Sequence, residues 1–83
     1  MGGTDKGRTR RQVEFGDRVR ARRQELGWSQ EALALKANIN RTYIASLESG
    51  RRNPSLDLIA RLARALRVDA GELVNGLERI RGR

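Results

Sequence analysis

The 83-residue chain carries a formal charge of +8 and has neither histidine nor cysteine, which leaves room for one small domain and little side-chain chemistry. Without the commonest general bases, thiol nucleophiles and metal ligands, we expect no enzyme, no metal site, no cofactor and no disulfide. No apolar stretch is long enough to span a membrane, and the N-terminus lacks a signal-peptide core. The basic charge favours a polyanionic partner, usually nucleic acid, with a membrane surface as the rival explanation.

The two ends of the chain are predicted to lie outside the folded domain. Residues 1–12 contain three glycines, four basic residues and a single apolar side chain, Met1. A segment of this composition cannot bury enough surface to offset its ordering entropy, so we predict a flexible basic arm. The alternative is that these residues are a remnant of the translation start site or of cloning and have no role in the protein. The domain is predicted over 13–75, and a short basic tail over 76–83.

Apolar spacing predicts an all-α fold, a compact bundle of five helices without strands. The first helix is expected over about 13–26, with Gly27 as its stop, and the next two over 30–37 and 41–48. The fourth begins after Ser55, a good N-cap. The short fifth begins at Asp69, where the spacing to Glu72 is typical of a capping box.

Three residues, Asn38, Ile39 and Asn40, separate the second and third predicted helices. A turn of this length between short helices is typical of a helix-turn-helix. Ala34 is small enough for a close helix crossing, and Ile44 would face the second helix. The other face of the third helix then has no acidic residue. Its N-terminus, with a partial positive charge and free N–H groups, suits phosphates and base edges.

The chain from about Phe15 to Val74 resembles the phage-repressor and Cro type of helix-turn-helix, also called the xenobiotic response element family. The resemblance rests on G-x-S-Q-E, R-T-Y-I, L-E-x-G, R-N-P-S-L and A-L-x-V together. Small controllers from restriction–modification systems often share R-T-Y-I and R-N-x-S-L. One departure is Asn38, where the family usually has glycine.

The resemblance implies a role for each matching residue. Base edges in the major groove would be read by Arg41, Thr42 and Ser46, with Tyr43 touching base or backbone. Phosphate contacts would come from Gln30, Asn40, Arg51, Arg52 and Asn53. A partly buried ion pair would join Arg23 to Glu48.

Each of these roles has a plainer alternative. Arg41 could touch only phosphate, and Thr42 could only support the helix start. Ser46 could need a water to reach a base, and Tyr43 could be packing. The loop arginines could be a solvated charge run. For Trp28, stacking on a base is the rival to a hydrophobic staple onto the second helix.

One short helix reads only about four base pairs, too few for a specific site, so a homodimer on a two-fold symmetric operator is expected. The candidate dimer interface is a stripe on a prolonged fifth helix: Leu73, Val74, Leu77 and Ile80. Alternatively, Leu73 completes the core, and the residues that follow it fray at the end of the helix. The expected function is a cytoplasmic, nucleoid-associated transcriptional regulator that binds double-stranded DNA and no small-molecule ligand. The alternatives are an antitoxin that also binds a toxin, and an RNA-binding or coactivator module of the same fold.

Overall fold

The computed structural model describes residues 8–81, which form helices and connecting turns and contain no strand. The elements in chain order are α1 (Arg10–Glu25), α2 (Gln30–Ala37), α3 (Arg41–Glu48), α4 (Leu56–Leu66), α5 (Ala70–Val74) and a 3₁₀ turn (Leu77–Arg79). The predicted all-α class and five helices are confirmed, and the bounds of the second and third helices agree with the prediction. None of these helices is long and apolar enough to cross a membrane.

The start of α1 differs from the prediction. The helix begins at Arg10 because Thr9 and Gln12 form a reciprocal capping box, with Oγ1 of Thr9 accepting from the Gln12 amide at 3.1 Å. The Thr9 amide donates in return to Oε1 of Gln12 at 3.0 Å. Residues 10–12 are therefore helical and belong to the domain. Residues 8 and 9 of the predicted arm are also described, and residues 1–7 lie outside the described residues.

The start of α5 also differs. Asp69 precedes the helix, but its side chain makes no capping hydrogen bond, so the capping box predicted from its spacing to Glu72 is wrong. The Glu72 amide donates to the backbone oxygen of Asp69 instead, at 2.9 Å. The helix is only five residues long. Its position is therefore set by packing more than by its own cap.

Left-handed residues that are not glycine end α2 and α4. Asn38 has φ 56° at the end of α2, and the Ile39 amide donates to the carbonyl of Ala34 at 2.9 Å. Asparagine adopts the geometry that glycine would supply, as expected. Arg67 has φ 61° at the end of α4, a conformation that its side chain does not favour and that the sequence pattern did not predict.

The core lies between α1, α3, α4 and α5, with α2 closing one side. Its fully or almost fully buried members are Phe15, Val19, Leu33, Ala34, Ala37, Ile44, Leu47, Leu62, Ala63, Leu66 and Leu73. The first and third helices approach most closely at Gly16, where an added Cβ would collide with the carbonyl oxygen of Leu47. This close approach brings the end of α3 against α1 and positions the candidate site.

The C-terminal segment does not form the single prolonged helix that the predicted stripe requires. The helix α5 ends at Val74, and Gly76 has φ 82° before the 3₁₀ turn. Leu73 is 2% exposed inside its own protomer, so its assignment to a dimer interface is wrong and it completes the core. Val74 and Leu77 pack partly against the core and keep some exposed surface.

Arginines on α1 hold this segment in place through backbone carbonyls. Arg18 donates from Nη1 to the oxygen of Asn75 at 2.7 Å and to that of Leu73 at 3.2 Å. Arg11 donates from Nε to the oxygen of Leu77 at 2.8 Å. The bonds from Arg18 satisfy carbonyl groups at the end of α5, which lack a partner within the helix. The carbonyl of Leu77 also accepts from the Ile80 amide, at 3.1 Å. The segment after α5 is therefore attached to α1 and does not fray at these residues.

Candidate nucleic-acid interface

The turn between α2 and α3 presents the start of α3 on the surface. Asn40 caps α3, with Oδ1 accepting from the amides of Thr42 at 2.7 Å and Tyr43 at 3.4 Å. The expectation that these N–H groups are free for a ligand is therefore wrong for these two amides. The side-chain amide nitrogen of Asn40 keeps both of its N–H donors and is exposed.

The two faces of α3 differ sharply in burial. Ile44 and Leu47 have no exposed surface, and they attach the helix to the core. Arg41 and Thr42 are exposed at the leading end, and neither side chain bonds another residue between 8 and 81. The outward face of α3 therefore offers a guanidinium and a hydroxyl that no internal contact occupies.

The far end of α3 is anchored by a buried ion pair that the family resemblance implied. Glu48 is 3% exposed, and its two oxygens accept from Nε and Nη2 of Arg23 at 2.6 and 2.8 Å. The hydrogen bond to Glu48 raises the pKa of Arg23, against an opposing effect of burial. The remaining Nη1 of Arg23 donates to the backbone oxygen of Trp28 at 2.7 Å. The one acid of α3 is thus neutralised inside the protein and does not repel an anionic ligand.

Gln30, the first residue of α2, joins this network. Its Nε2 donates to Oε1 of Glu48 at 3.1 Å, so it braces α3 as the resemblance implied. Oγ of Ser29 accepts from the Ala32 amide at 3.0 Å, which leaves the first two amides of α2 without an acceptor inside the helix. One side chain therefore links the two helices of the motif at a position suited to a phosphate.

The loop after α3 carries three exposed polar residues, Arg51, Arg52 and Asn53, which have different surroundings. The guanidinium of Arg52 lies over the Tyr43 ring, 5.0 Å from its centroid, and donates from Nε to Oγ of Ser46 at 3.2 Å. Arg51 makes no side-chain contact of this kind within the described part of the chain. The two arginines, both expected to contact phosphate, therefore differ in their contacts.

Trp28 packs partly against the core, and Nζ of Lys36 lies 4.7 Å from its ring centroid. The guanidinium of Arg67 lies near the same ring, at 5.7 Å. Cations held on an aromatic face in this way stabilise the packing between helices. The ring is therefore occupied by neighbours from its own chain, which supports a packing role and not base stacking.

One neighbour of the site, Arg8, was not predicted from the sequence. Nη1 of Arg8 donates to the backbone oxygen of Ser49 at 2.9 Å, which brings the start of the described chain to the end of α3. No local pattern signals a contact between residues 41 positions apart. Among residues 8–81, no group of three or more acidic, histidine or cysteine side chains could hold a metal ion.

Comparison with known proteins agrees with this geometry. A family model described as helix-turn-helix matches residues 19–73, which contain the whole of α2, the turn and α3. The chain belongs to this helix-turn-helix family. The control protein C.BamHI of Bacillus amyloliquefaciens is 42% identical over 62 residues, which cover 74% of this chain and 76% of that protein.

Solved structures of other helix-turn-helix proteins superpose on the fold. The restriction-modification controller protein C.AhdI from Aeromonas hydrophila is 44% identical, with a TM-score of 0.72 over 74% of this chain and 92% of its own. The master regulator for biofilm formation SinR, solved in complex with DNA, is 31% identical with a TM-score of 0.71 over 74% of this chain and 98% of its own. The family resemblance inferred from the sequence motifs is confirmed.

Proposed function

We propose that this protein is a transcriptional regulator that binds double-stranded DNA in a sequence-specific manner and occupies an operator near a promoter. The observation that carries the proposal is that one face of α3 is buried in the core and the opposite face is exposed. The side that carries Ile44 and Leu47 is fully buried, while Arg41 and Thr42 are exposed and their side chains bond no other residue between 8 and 81. A helix held rigidly by one face and polar on the other fits the major groove of B-DNA. Such a protein works in the cytoplasm, on the nucleoid.

Base reading is proposed for four residues of α3: Arg41, Thr42, Tyr43 and Ser46. The unpaired guanidinium of Arg41 can donate two parallel hydrogen bonds to O6 and N7 of guanine. The methyl group of Thr42 suits a thymine methyl, and both side chains stand at the leading end of the helix. Ser46 and Tyr43 lie farther along the same helix, where a short or half-buried side chain reaches fewer atoms.

Phosphate contacts are proposed for residues that surround this face: Gln30, Asn40, Arg51 and Asn53. Gln30 begins a helix whose positive end attracts anions. The exposed side-chain amide of Asn40 has two N–H donors left because capping uses only its oxygen. Arg51 and Asn53 extend from the loop beyond α3 and are exposed. Together these groups would orient α3 in the groove without reading sequence.

A homodimer is proposed because one helix of this length specifies too short a site. Val74 and Leu77 line a groove with Ile59 and Pro54, and all four keep some exposed surface. Leu56, one turn before Ile59 on α4, is 85% exposed. The exposed apolar surface of Val74, Leu77 and Leu56 supports two-fold pairing. The half-buried Ile80 lies in a separate groove with Arg10, Val13 and Glu14, and we propose that it extends the interface. Half-sites would then lie about 34 Å apart, one turn of DNA.

The test is selection of binding sites from random duplex DNA by the purified protein. A two-fold symmetric sequence should emerge, and duplex RNA should not compete with it at equal concentration. Arg41→Ala should lose about 1–3 kcal/mol on the selected site and much less on random DNA. Arg64→Ala removes an equal charge from the exposed side of α4 and serves as the matched control. Absence of any enriched sequence, or tighter binding to RNA, would refute the proposal.

A further inference from the structure

Arg52 lies outside α3, yet its guanidinium rests on the outward face of that helix. The flat group is 5.0 Å from the ring centroid of Tyr43, and its Nε donates to Oγ of Ser46 at 3.2 Å. Tyr43 and Ser46 are three positions apart, so they are neighbours on one helix face. Two independent contacts therefore hold one loop cation over the surface proposed to face the bases.

These contacts use only part of the guanidinium. Stacking uses its flat face, and Ser46 accepts from Nε alone, so Nη1 and Nη2 bond no other residue between 8 and 81. The terminal nitrogens remain available as paired donors, the arrangement that matches O6 and N7 of guanine. A side chain held by two contacts also loses less rotamer freedom when it binds.

Arg51 provides the contrast within the same loop. Its backbone amide closes the end of α3 by donating to the oxygen of Ser46 at 3.0 Å, but its exposed side chain has no ring or hydroxyl partner in the described part of the chain. An unrestrained arginine beside DNA neutralises phosphate wherever the backbone passes. The two adjacent arginines are therefore not equivalent, although the sequence presents them as a doubled charge.

We propose that Arg52 is a specificity-determining residue that reads a guanine in the major groove, with Tyr43 and Ser46 as its positioning residues. The inference rests on the proposed DNA-binding function and adds a base contact from outside the recognition helix. The surface that reads sequence would thus combine α3 with one side chain of the following loop. Arg51 would keep the phosphate role that was first expected of both arginines.

The decisive comparison measures the binding of the parent, Arg52→Lys and Arg51→Lys proteins, each as the full chain, to the selected duplex and to random duplex DNA. Arg52→Lys keeps the positive charge but lacks the flat, forked donor group, so it separates base reading from phosphate binding. It should lose affinity for the selected site by about 5- to 150-fold, the discrimination of one bidentate pair. Its affinity for random DNA should stay within about twofold, because the charge remains. Arg51→Lys should bind both duplexes like the parent.

Repeating the site selection with each variant locates the contact. The Arg52→Lys protein should lose its preference for guanine at one position of each half-site, and Tyr43→Ala should weaken the preference at that same position. Tyr43→Phe keeps the ring and should retain it. Thermal unfolding of each variant checks that the fold is intact, and the exposed position of Arg52 makes a folding defect unexpected.

Two outcomes would overturn the inference. If Arg52→Lys selects the parental sequence with parental affinity, the side chain contributes only charge. If Arg52→Ala lowers affinity equally for selected and random DNA, Arg52 is a phosphate contact like Arg51. Failure of the parent protein to enrich any duplex sequence would instead refute the proposed function itself, so the two failures are distinguishable.

Discussion

Arg23 and Glu48 join α1 to α3 by two parallel hydrogen bonds of 2.6 and 2.8 Å, with the Glu48 side chain only 2% exposed. The forked geometry of arginine matches the carboxylate and makes this contact stronger than a surface ion pair. Gln30 adds a third bond to the same carboxylate. The pair therefore positions the recognition helix relative to both of its neighbours.

Removing one partner of this pair should cost far more than removing both. In Arg23→Ala the buried carboxylate of Glu48 loses its counter-ion, and the free energy of unfolding should fall by about 3–5 kcal/mol. The double change of Arg23→Met with Glu48→Leu should recover most of that loss, since it leaves no buried charge. Urea unfolding followed by circular dichroism measures both.

The control for this comparison is the exposed ion pair between Arg20 and Asp17, 2.9 Å apart on α1. Arg20→Ala should change the free energy of unfolding by less than about 1 kcal/mol because both side chains are solvated. Equal losses in Arg23→Ala and Arg20→Ala would show that the buried pair has no special contribution.

Gly16 tests the close approach of α1 and α3. An alanine methyl there would collide with the carbonyl of Leu47, so Gly16→Ala should lower the free energy of unfolding by about 1–3 kcal/mol or more. Gly71→Ala is the matched control, since its methyl would lie 3.4 Å from the Asn75 side chain, at ordinary contact distance. That change should be neutral or stabilising by up to about 1 kcal/mol. A Gly16→Ala protein as stable as the parent would contradict the observed helix spacing.

Local signals predicted the parts of the fold that depend on neighbouring residues. The bounds of α2 and α3 followed from Ser29 and Asn40 as caps and from apolar spacing, and both caps form as expected. The left-handed end at Asn38 followed from the conformational tolerance of asparagine. These features need no information from distant parts of the chain.

Features that depend on distant contacts could not be predicted in this way. Leu73 looked like part of an exposed stripe because its spacing to Leu77 is helical, but Gly76 breaks the helix and the core takes Leu73. Arg52 looked equivalent to Arg51, and only the three-dimensional approach of the loop to Tyr43 separates them. The polar, glycine-containing composition of residues 1–12 indicated a flexible arm, so the N-cap of α1 at Thr9 was not predicted.

Arg67 holds a left-handed conformation without glycine. Its φ of 61° costs a side-chain-bearing residue about 1–2 kcal/mol, which glycine avoids. Arg67→Gly should therefore be more stable than Arg67→Ala by about 1 kcal/mol, even though glycine is the poorer residue inside a helix. Both variants lose the contact between the guanidinium and the Trp28 ring, so this loss does not contribute to the difference in stability between them. A more stable alanine variant in thermal unfolding would place this residue outside the left-handed region.

The proposed dimer predicts how the C-terminal apolar surface responds to charge. Leu77→Glu should convert the dimer to monomer, because a carboxylate would be buried in the interface without a partner. Leu35→Glu is the control, since Leu35 is 80% exposed on α2, away from this surface. Sedimentation equilibrium measures the mass of each protein. A parent that is monomeric at all concentrations, or a dimeric Leu77→Glu protein, would count against the proposed interface.

Salt dependence of DNA binding reports the number of phosphates that the protein neutralises. If cationic side chains of each protomer, Arg51 among them, neutralise about four phosphates, the logarithm of affinity should fall with the logarithm of salt concentration with a slope near −7. Arg51→Ala should make this slope shallower by about 2, one contact for each protomer, on selected and random DNA alike. Arg41→Ala should change sequence preference more than slope, because its proposed partner is a base. Fluorescence titrations across a salt series measure these slopes. An unchanged slope for Arg51→Ala would remove this residue from the phosphate contacts.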